Sequence, residues 1–495
     1  MIRHFLLAML MTLTGCGKSS SPQPNVLQLQ VISPHGSDIR REFADAFSDW
    51  HLKHFGQRVE ILWPDIGGGG TGNIIRQLDA AYSHAGTSGY DVIFGGGSAA
   101  FNSFAGKGFL VKVPAMSREE MEKSGWKSDP VDGVPADIFA SPLHAKDGAW
   151  VAAAMSSFGM EINKDRIAEL GMKVPRAWGD IATPEWFGRL SLADPSKSGS
   201  VKTSYEMILQ QYGKEPDGWA KGWAVLTRLF ENASLIRDSG SAPADDVGSA
   251  DAMAGIVIDF YGRLQVLRAG ENVAGFVVPE GGTALDADPI AMLKGSQRSE
   301  LAARFIRFVV SPEGQKLWVL RVGTPGGPRK TALGRMCVVP EVYKTEKENL
   351  FDPMDPFDAA AMLKTNPVTA AARNPFLGDL IKAALIDNHE ALVRARRAVK
   401  RAGDPPELLA MLEGLPTYKA SDVKDNKLTY GDSTLLDEKD LAVVAGEYGP
   451  PKDSPKAPYT ERLQNGLKDL WRETFAQRFA EVETAARHFV ASERR

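Results

Sequence analysis

Cysteine is nearly absent: 495 residues carry two, Cys16 and Cys337. No disulfide framework is possible at that count, so the fold must stand on its hydrophobic core. A chain this long can do so, because large chains bury most of their apolar surface, and its length suggests two or three domains. Positive charge is not in excess either. Lys and Arg total 58 against 62 Asp and Glu, a formal charge of −4. That leaves no basic field of the kind nucleic acid selects. Beyond the N-terminus no stretch approaches the ~20 apolar residues of a membrane-spanning helix. There is no Gly-x-Ser-x-Gly, no Walker loop, no His-Glu-x-x-His, no internal repeat and no sustained heptad. No catalysis, cofactor or nucleic-acid partner is expected, and the chain is expected to act as a monomer.

What is present begins at the N-terminus. Arg3 and His4 open a short basic start, and Phe5 to Leu13 is apolar apart from Thr12. This is the pattern of a secretory signal peptide. Leu13-Thr14-Gly15-Cys16 resembles the bacterial lipobox, which implies cleavage before Cys16 and a lipid on its sulfur. The plain alternative is an ordinary signal peptide with an incidental cysteine. Residues 1–15 are then signal peptide, and 16–26 are lipidated cysteine and tether, since Lys18 to Asn25 is polar and rich in Pro and Ser. Lipidated Cys16 cannot pair with Cys337. The chain is placed in a bacterial cell envelope, held to the membrane by lipid and facing the periplasm or exterior.

Downstream, strand, glycine loop and helix recur three times. Leu27 to Ser33 reads as a strand ending at Pro34-His35-Gly36-Ser37, and Phe43, Phe47, Trp50 and Phe55 follow at helical spacing. Val59 to Leu62 precedes a loop from Gly67 to Thr71, and Tyr90 to Phe94 precedes Gly95-Gly96-Gly97-Ser98. That order predicts an open, largely parallel α/β sheet with ligand loops at the C-terminal strand ends. Ala149 to Ile162 reads as one long strand crossing into a second lobe, and Phe276 to Pro279 as the return. Leu190 to Leu192 and Gly255 to Asp259 are further strands. After about Glu341 the pattern turns to helices, with long candidates at Phe376 to Val399 and Thr460 to Val490; Lys419 to Asp437 is polar and reads as loop. His51 and His54 read as surface residues near a helix end.

Six segments, in order, carry a resemblance: Phe43-Ala44-Asp45-Ala46-Phe47; Gly89 to Gly96 (GYDVIFGG); Pro175 to Asp180 (PRAWGD); Leu192 to Ser200 (LADPSKSGS); Pro279 to Thr283 (PEGGT); and Ser311 to Trp318 (SPEGQKLW). Over residues 27 to about 343 the chain resembles the bacterial extracellular solute-binding proteins of ABC transporters, in the branch of ferric-iron, phosphonate and sugar-phosphate binders. The resemblance implies an α/β, two-lobed periplasmic-binding-protein fold of type II with two crossing hinge strands, here with a helical C-terminal extension. Lobe 1 would span 27–148 and 280–345, lobe 2 149–279, and the extension 346–495. It also implies a small-molecule ligand, an ABC-transporter permease as partner and no turnover.

The glycine loops have a physical reason to bind. Glycine lets backbone N–H groups approach a ligand, and a helix starting just after the loop adds unsatisfied donors and positive dipole. Ser33, His35, Gly36, Ser37, Gly70, Thr71, Gly95, Gly96, Gly97 and Ser98 in one lobe face Ser198, Gly199, Ser200, Ser239, Gly240 and Ser241 in the other. Any one loop alone is better explained as a tight turn with an N-cap serine. Asp259, Tyr261 and Glu280 join the candidates as polar contacts; Asp259 as a helix cap and Glu280 as a turn residue are the plain alternatives. A ferric site is the competing ligand class. It would use His35 and Tyr261, but Gly95-Gly96 stands where the family has a glutamate and Phe260 where it has one tyrosine of a pair, so no metal ligand is assigned. A sensor or scaffold lipoprotein is the other alternative, with the extension packed on lobe 1 as the plain reading of the tail. The expected ligand is small and polar or anionic: phosphate-, phosphonate- or sugar-phosphate-like.

Overall fold

The computed structural model describes residues 26–65, 70–139, 141–213, 218–352, 355–357, 362–414 and 457–493. The signal-peptide segment, Cys16, the tether before residue 26, Gly67 to Gly69 and Lys419 to Asp437 lie outside them. Among the described residues the strands are β1 (Leu27–Ile32), β2 (Val59–Leu62), β3 (Val92–Phe94), β4 (Leu110–Val111), β5 (Asp137–Ile138), β6 (Ser141–Pro142), β7 (Val151–Ser156), β8 (Phe158–Asn163), β9 (Leu190–Ala193), β10 (Ala233–Arg237), β11 (Ala254–Ile258), β12 (Ala274–Val277) and β13 (Asp286–Leu293).

They form two main sheets. The first runs β2-β1-β3-β13-β4, with β7 also on β13; the second runs β10-β9-β11-β8-β12. β1, β2 and β3 are parallel, as the recurring strand–loop–helix order predicts. β13 is antiparallel to β3, β4 and β7, so the first sheet is mixed rather than largely parallel. The reason is topological: β13 returns from the other lobe instead of completing a right-handed crossover. The helix Ser37–Phe55 shows how each unit packs. Ile39, Phe43, Phe47 and Trp50 fall on one face and are buried against the first sheet. Gly56, at φ 74°, ends it and donates its N–H to Leu52 O, a left-handed cap that glycine adopts without strain. His51 belongs to that buried face rather than to the surface, with Nδ1 2.7 Å from Gln57 O. Cys337 is buried in the same core.

The stretch read as one crossing strand is two strands broken at Ser157. β7 pairs in the first sheet and β8 in the second. At the break, Ser157 N donates to Asp259 Oδ2 (2.9 Å) and Asp259 N to Ser157 O (3.0 Å). Phe158 N donates to Thr283 Oγ1 (3.1 Å), which joins the outgoing passage to the returning one. The return is not Phe276 to Pro279 itself, because β12 ends the second sheet and the chain re-enters the first only at β13. A third passage follows. Leu350 sits in the first core, Leu363 N donates to Thr283 O (2.8 Å), and Asn366 N reaches Gln210 Oε1 (2.5 Å).

The extension packs on the second sheet's core, not the first. Phe376, Leu380, Leu392, Val399, Leu467, Trp471, Phe475 and Phe479 share one buried cluster with Trp223, Leu226 and Phe230 of the helix Gly218–Glu231. That helix is apolar on two sides: one meets the sheet and the other needs a cover, which the helices His389–Arg401, Pro406–Glu413 and Ala457–Glu493 provide. The helix expected from Phe376 to Val399 is interrupted, with a π segment at Lys382–Ile386 before His389–Arg401. Asn388 bridges this junction to the last helix, donating to Ala383 O and Arg472 O at 2.9 Å each.

Two predictions follow from this packing. Phe475 lies 5.7 Å from the Trp223 ring and is fully buried; Phe475→Ala should cost about 3–5 kcal/mol. Because the cluster is shared, urea unfolding should show Trp223 becoming solvent-exposed in the same transition as the extension. A Trp223 signal unaffected by the substitution would show two separate cores. The second concerns Glu161, in mid-β8, which is completely buried with neither carboxyl oxygen hydrogen-bonded among the described residues. Burial, then the nearby Asp245, pushes its carboxyl up to about 9 from an ordinary 4.5. A raised native value means stability is fully present below the ordinary value and is lost as pH rises toward 9. Glu161→Gln should therefore raise the melting temperature at pH 8, by at least the roughly 2–4 °C that one kcal/mol is worth in such a domain, with little change at pH 4.

Candidate functional site

The loop after β3 is built for close contact. Gly95, Gly96 and Gly97 all have positive φ (87°, 129° and 83°). A Cβ on Gly95 would stand 2.5 Å from the His35 imidazole, so glycine is required there twice over. The amides of Gly96 and Gly97 do not face an open gap. They donate to Asp288 Oδ1, at 2.7 and 3.2 Å. The other oxygen of Asp288 meets His35 Nε2 at 2.8 Å and the Arg335 guanidinium. Arg335 also donates to Ser156 Oγ (2.8 Å), at the end of β7, and lies 4.8 Å from the Phe260 ring and 5.4 Å from Trp318. His35, Asp288 and Arg335 are all buried. Burial acts to raise the Asp288 carboxyl. Arg335, then His35 and the Gly96 amide, outweigh it and hold the group well below the usual carboxylate range. Burial keeps His35 neutral against the pull of Asp288, lowering it from its ordinary value. Ser33 is also buried and turned inward, its Oγ accepting from His35 N (3.1 Å).

Two other helix starts face each other. The helices Thr71–Ala85 and Gly199–Gln211 begin close together, one in each lobe. A Cβ on Gly199 would lie 3.8 Å from Thr71 Oγ1, one on Gly96 3.2 Å from Thr71 Cγ2, and one on Gly70 3.5 Å from Lys197 O. Thr71 thus lies between the first-lobe loop at Gly96 and the second-lobe loop at Gly199. The N–H groups of Thr71, Gly72, Gly199 and Ser200 make no hydrogen bond among the described residues, as the first amides of a helix must unless something caps them. Ser198 caps Val201 N and lies 3.0 Å from Ser200 Oγ. Gly240 packs directly on Ser198, and Ser239 Oγ and Ser241 Oγ pair at 3.0 Å beside it. From outside, Lys202 donates to Asn374 O (2.9 Å), and Gly378 leaves no room for a Cβ under Pro195 O (2.9 Å), so the extension braces this loop.

The remaining candidates divide. Ser98 Oγ lies 2.5 Å from Asp286 Oδ1, and burial pushes the Asp286 carboxyl up to about 6. Tyr261 lies largely buried near Arg335, Asp288 and Asp245, and its hydroxyl makes no hydrogen bond among the described residues. Asp259 is fully buried and spent on the amides of Ser157 and Phe260. Glu280 is exposed. Its turn is fixed by the PRAWGD segment, with Trp178 Nε1 donating to Gly282 O (2.7 Å) and Glu280 N to Arg176 O (2.9 Å). Gly36 and Ser37 are exposed at the start of the first helix. Among the described residues no three His, Cys, Asp or Glu side chains gather as metal ligands. Asp286, Asp288 and Arg335 were missed from sequence. The two aspartates carried a usable signal, since i, i+2 positions of a strand share a face and charge there is out of place in a buried strand. Arg335 carried none.

Removing the internal anion should be costly. Asp288→Ala leaves Arg335 buried without its counter-charge and the Gly96 and Gly97 amides uncapped; about 3–5 kcal/mol should be lost at neutral pH in urea unfolding. The Asp288 contribution is present above the ordinary carboxyl value and is lost as pH falls through its depressed native value. The deficit of the variant should therefore shrink in strong acid.

Residues 88–336, half of the chain, match the family described as bacterial extracellular solute-binding protein. A curated relative, the phosphoglycerate transport regulatory protein PgtC of Salmonella typhimurium, is 28% identical over 302 residues, covering 59% of this chain and 68% of its own length. The periplasmic binding protein P5PA superposes with a TM-score of 0.52 at 18% identity, over 72% of this chain and 99% of that one. The apo ferric ion-binding protein A of Pasteurella haemolytica also gives 0.52, at 14% identity, over 72% and 96%. At such identities the two structures speak for the fold: two α/β lobes of the type II periplasmic-binding-protein class. This chain belongs to the bacterial extracellular solute-binding proteins.

Proposed function

We propose that the chain is the solute receptor of an ABC importer, a lipoprotein tethered through Cys16 that captures a small phosphate-bearing compound between its lobes and presents it to a membrane permease. One observation carries the ligand class. Two helix starts from different lobes, at Thr71 and Gly199, lie close together, a Cβ on Gly199 standing 3.8 Å from Thr71 Oγ1. Each helix start favours an anion by about 0.3–1 kcal/mol, more when partly buried, and backbone amides there suit the several oxygens of a phosphate. The name of the Salmonella relative, a phosphoglycerate transport regulatory protein, points the same way. Family membership argues for capture without turnover.

Thermal melting in the presence of inorganic phosphate, phosphoglycerate, a phosphonate, a sugar phosphate, spermidine and Fe(III) tests this. A phosphate-bearing compound at 100 times its dissociation constant should stabilise by about 2.7 kcal/mol. Gly199→Pro supplies the site-specific arm. Proline is accepted at the first helical position but removes one amide, and Ser198 already has the extended conformation that precedes proline (φ −130°, ψ 122°). The variant should fold and bind the phosphate compound about tenfold more weakly, the loss of one charge-assisted hydrogen bond. Stabilisation by Fe(III) or spermidine alone would replace the ligand class; none by any solute would remove the receptor role.

A further inference from the structure

The lobes also touch away from the glycine loops. The helix Asp259–Ala269 packs on β8, β11 and β12 of the second sheet, yet one of its faces meets the first lobe. Positions 260, 263 and 264 share that face, as i, i+3 and i+4 do on a helix. The Phe260 ring lies 4.8 Å from the Arg335 guanidinium. Leu264 approaches Gly334, where a Cβ would stand 3.8 Å from Leu264 Cδ2 and 3.2 Å from Phe351 Cε1. Arg263 forms an ion pair with Asp352. The partners all belong to the first lobe. Arg335 is bonded to Asp288 and to Ser156 of β7. Phe351 N donates to Val319 O (2.7 Å), beside the bridge of Leu350 to Leu320.

A charge pair stands at the centre of this contact. The Arg263 and Asp352 side chains are only 16% and 28% exposed, so water and salt screen the pair less than one on the open surface. Arg263 is held on its own lobe by the Phe276 ring of β12, 5.4 Å away. The second sheet carries the helix and the first lobe carries Asp352, so a rotation of one lobe against the other moves the two charges relative to each other. None of these contacts uses an amide of the glycine loops. They favour the closed arrangement whether or not a guest is in the cleft.

We infer that this helix face is a latch between the lobes, with the Arg263–Asp352 pair as its catch, and that it populates the closed form before any guest arrives. The inference goes beyond the proposed ligand class and does not rest on it. A guest shuts two lobes only by its differential affinity for the closed form. A latch that fills part of that form beforehand raises apparent affinity, which scales with the fraction of chains already competent.

Small-angle X-ray scattering of the full chain without added solute tests the inference. Asp352→Asn keeps the size of the side chain and removes its charge. Arg263 then still has Asp259, one turn earlier on its own helix, acting on its guanidinium, so the second lobe should stay folded, with the melting curve as the check. The radius of gyration should shift upward in Asp352→Asn and in Arg263→Gln, and should stay at the wild-type value in Asp352→Glu, which keeps the charge. Every variant has the same chain length, so the difference reads the separation of the lobes. An unchanged radius in the neutral variants overturns the inference, because the lobes then keep their arrangement without the pair. Expansion in Asp352→Glu as large as in Asp352→Asn also overturns it, since shape rather than charge would be holding the lobes. Should Asp352→Asn fail to fold, Arg263→Gln decides.

Discussion

A single buried carboxylate organises the first lobe's contribution to the cleft. Asp288 joins the glycine loop after β3, the imidazole of His35 after β1, the Arg335 guanidinium and, through Arg335, Ser156 at the hinge end of β7. These parts lie far apart in sequence, and a charge this deeply buried persists only when paired and hydrogen-bonded on several sides. The arrangement makes the anion-accepting loop internal. Amides that would otherwise hold a guest hold the protein's own aspartate, which sits where the strand, the loop and the hinge meet. In the proposed reading, anion recognition in the first lobe falls to the Thr71 helix start instead.

The second lobe is organised differently, by a shared apolar cluster. The helix Gly218–Glu231 has more apolar surface than one sheet can cover, and the extension closes it. The same extension reaches the cleft's edge, where Asn374 holds Lys202 and Gly378 packs beneath Pro195. It is therefore continuous with the loop that starts the Gly199 helix. The chain also ties the lobes a third time through Leu363 on Thr283, a residue already bonded to Phe158 in the outgoing passage. One residue of each passage, Phe158, Ala284 and Leu363, packs in one small apolar cluster around Met207. A hinge with three chains through it bends about an axis better defined than two passages would give.

Much of this was legible in residue pattern. The helix Ser37–Phe55, the strands around Val92 and Gly255, and the three strand–loop–helix units follow from periodicity and glycine placement, which act locally. The break at Ser157 was not legible, because β7 and β8 are buried throughout and an uninterrupted apolar run gives no sign of which sheet each half joins. Nor was the seat of the extension. An amphipathic stripe such as Leu467, Trp471, Phe475 and Phe479 states that something covers it, not what. His51 was misread for a related reason. Its place near a helix end suggested solvent, whereas the turn after Gly56 folds Gln57 back to bond its ring. In the cleft, sequence found the loops and missed the charges, since the partners of His35 lie 253 and 300 residues away.

The asymmetry of the cleft bears on how closure would be coupled to capture. A guest drives two lobes together only by binding the closed form better than the open one. In the proposed reading, the amides of the Thr71 and Gly199 helix starts belong to different lobes, so both engage one phosphate only when the gap is shut. Each start alone is weak, and the sum is available to the closed form alone. Thr71 lies between Gly96 and Gly199: a Cβ on Gly96 would stand 3.2 Å from its methyl, whereas one on Gly199 would make an ordinary contact at 3.8 Å. The Asp288 cluster has its hydrogen-bond partners on the first lobe, with Arg335 stacked against Phe260 of the second. Its partners His35, Gly96 and Ser156 lie on first-sheet strands or the loops that follow them, and Arg335 adjoins Met336, which bridges to Met155 of β7. The internal anion ties the parts of the first lobe together, and in the proposed reading the amides of the two helix starts supply the free energy of closure.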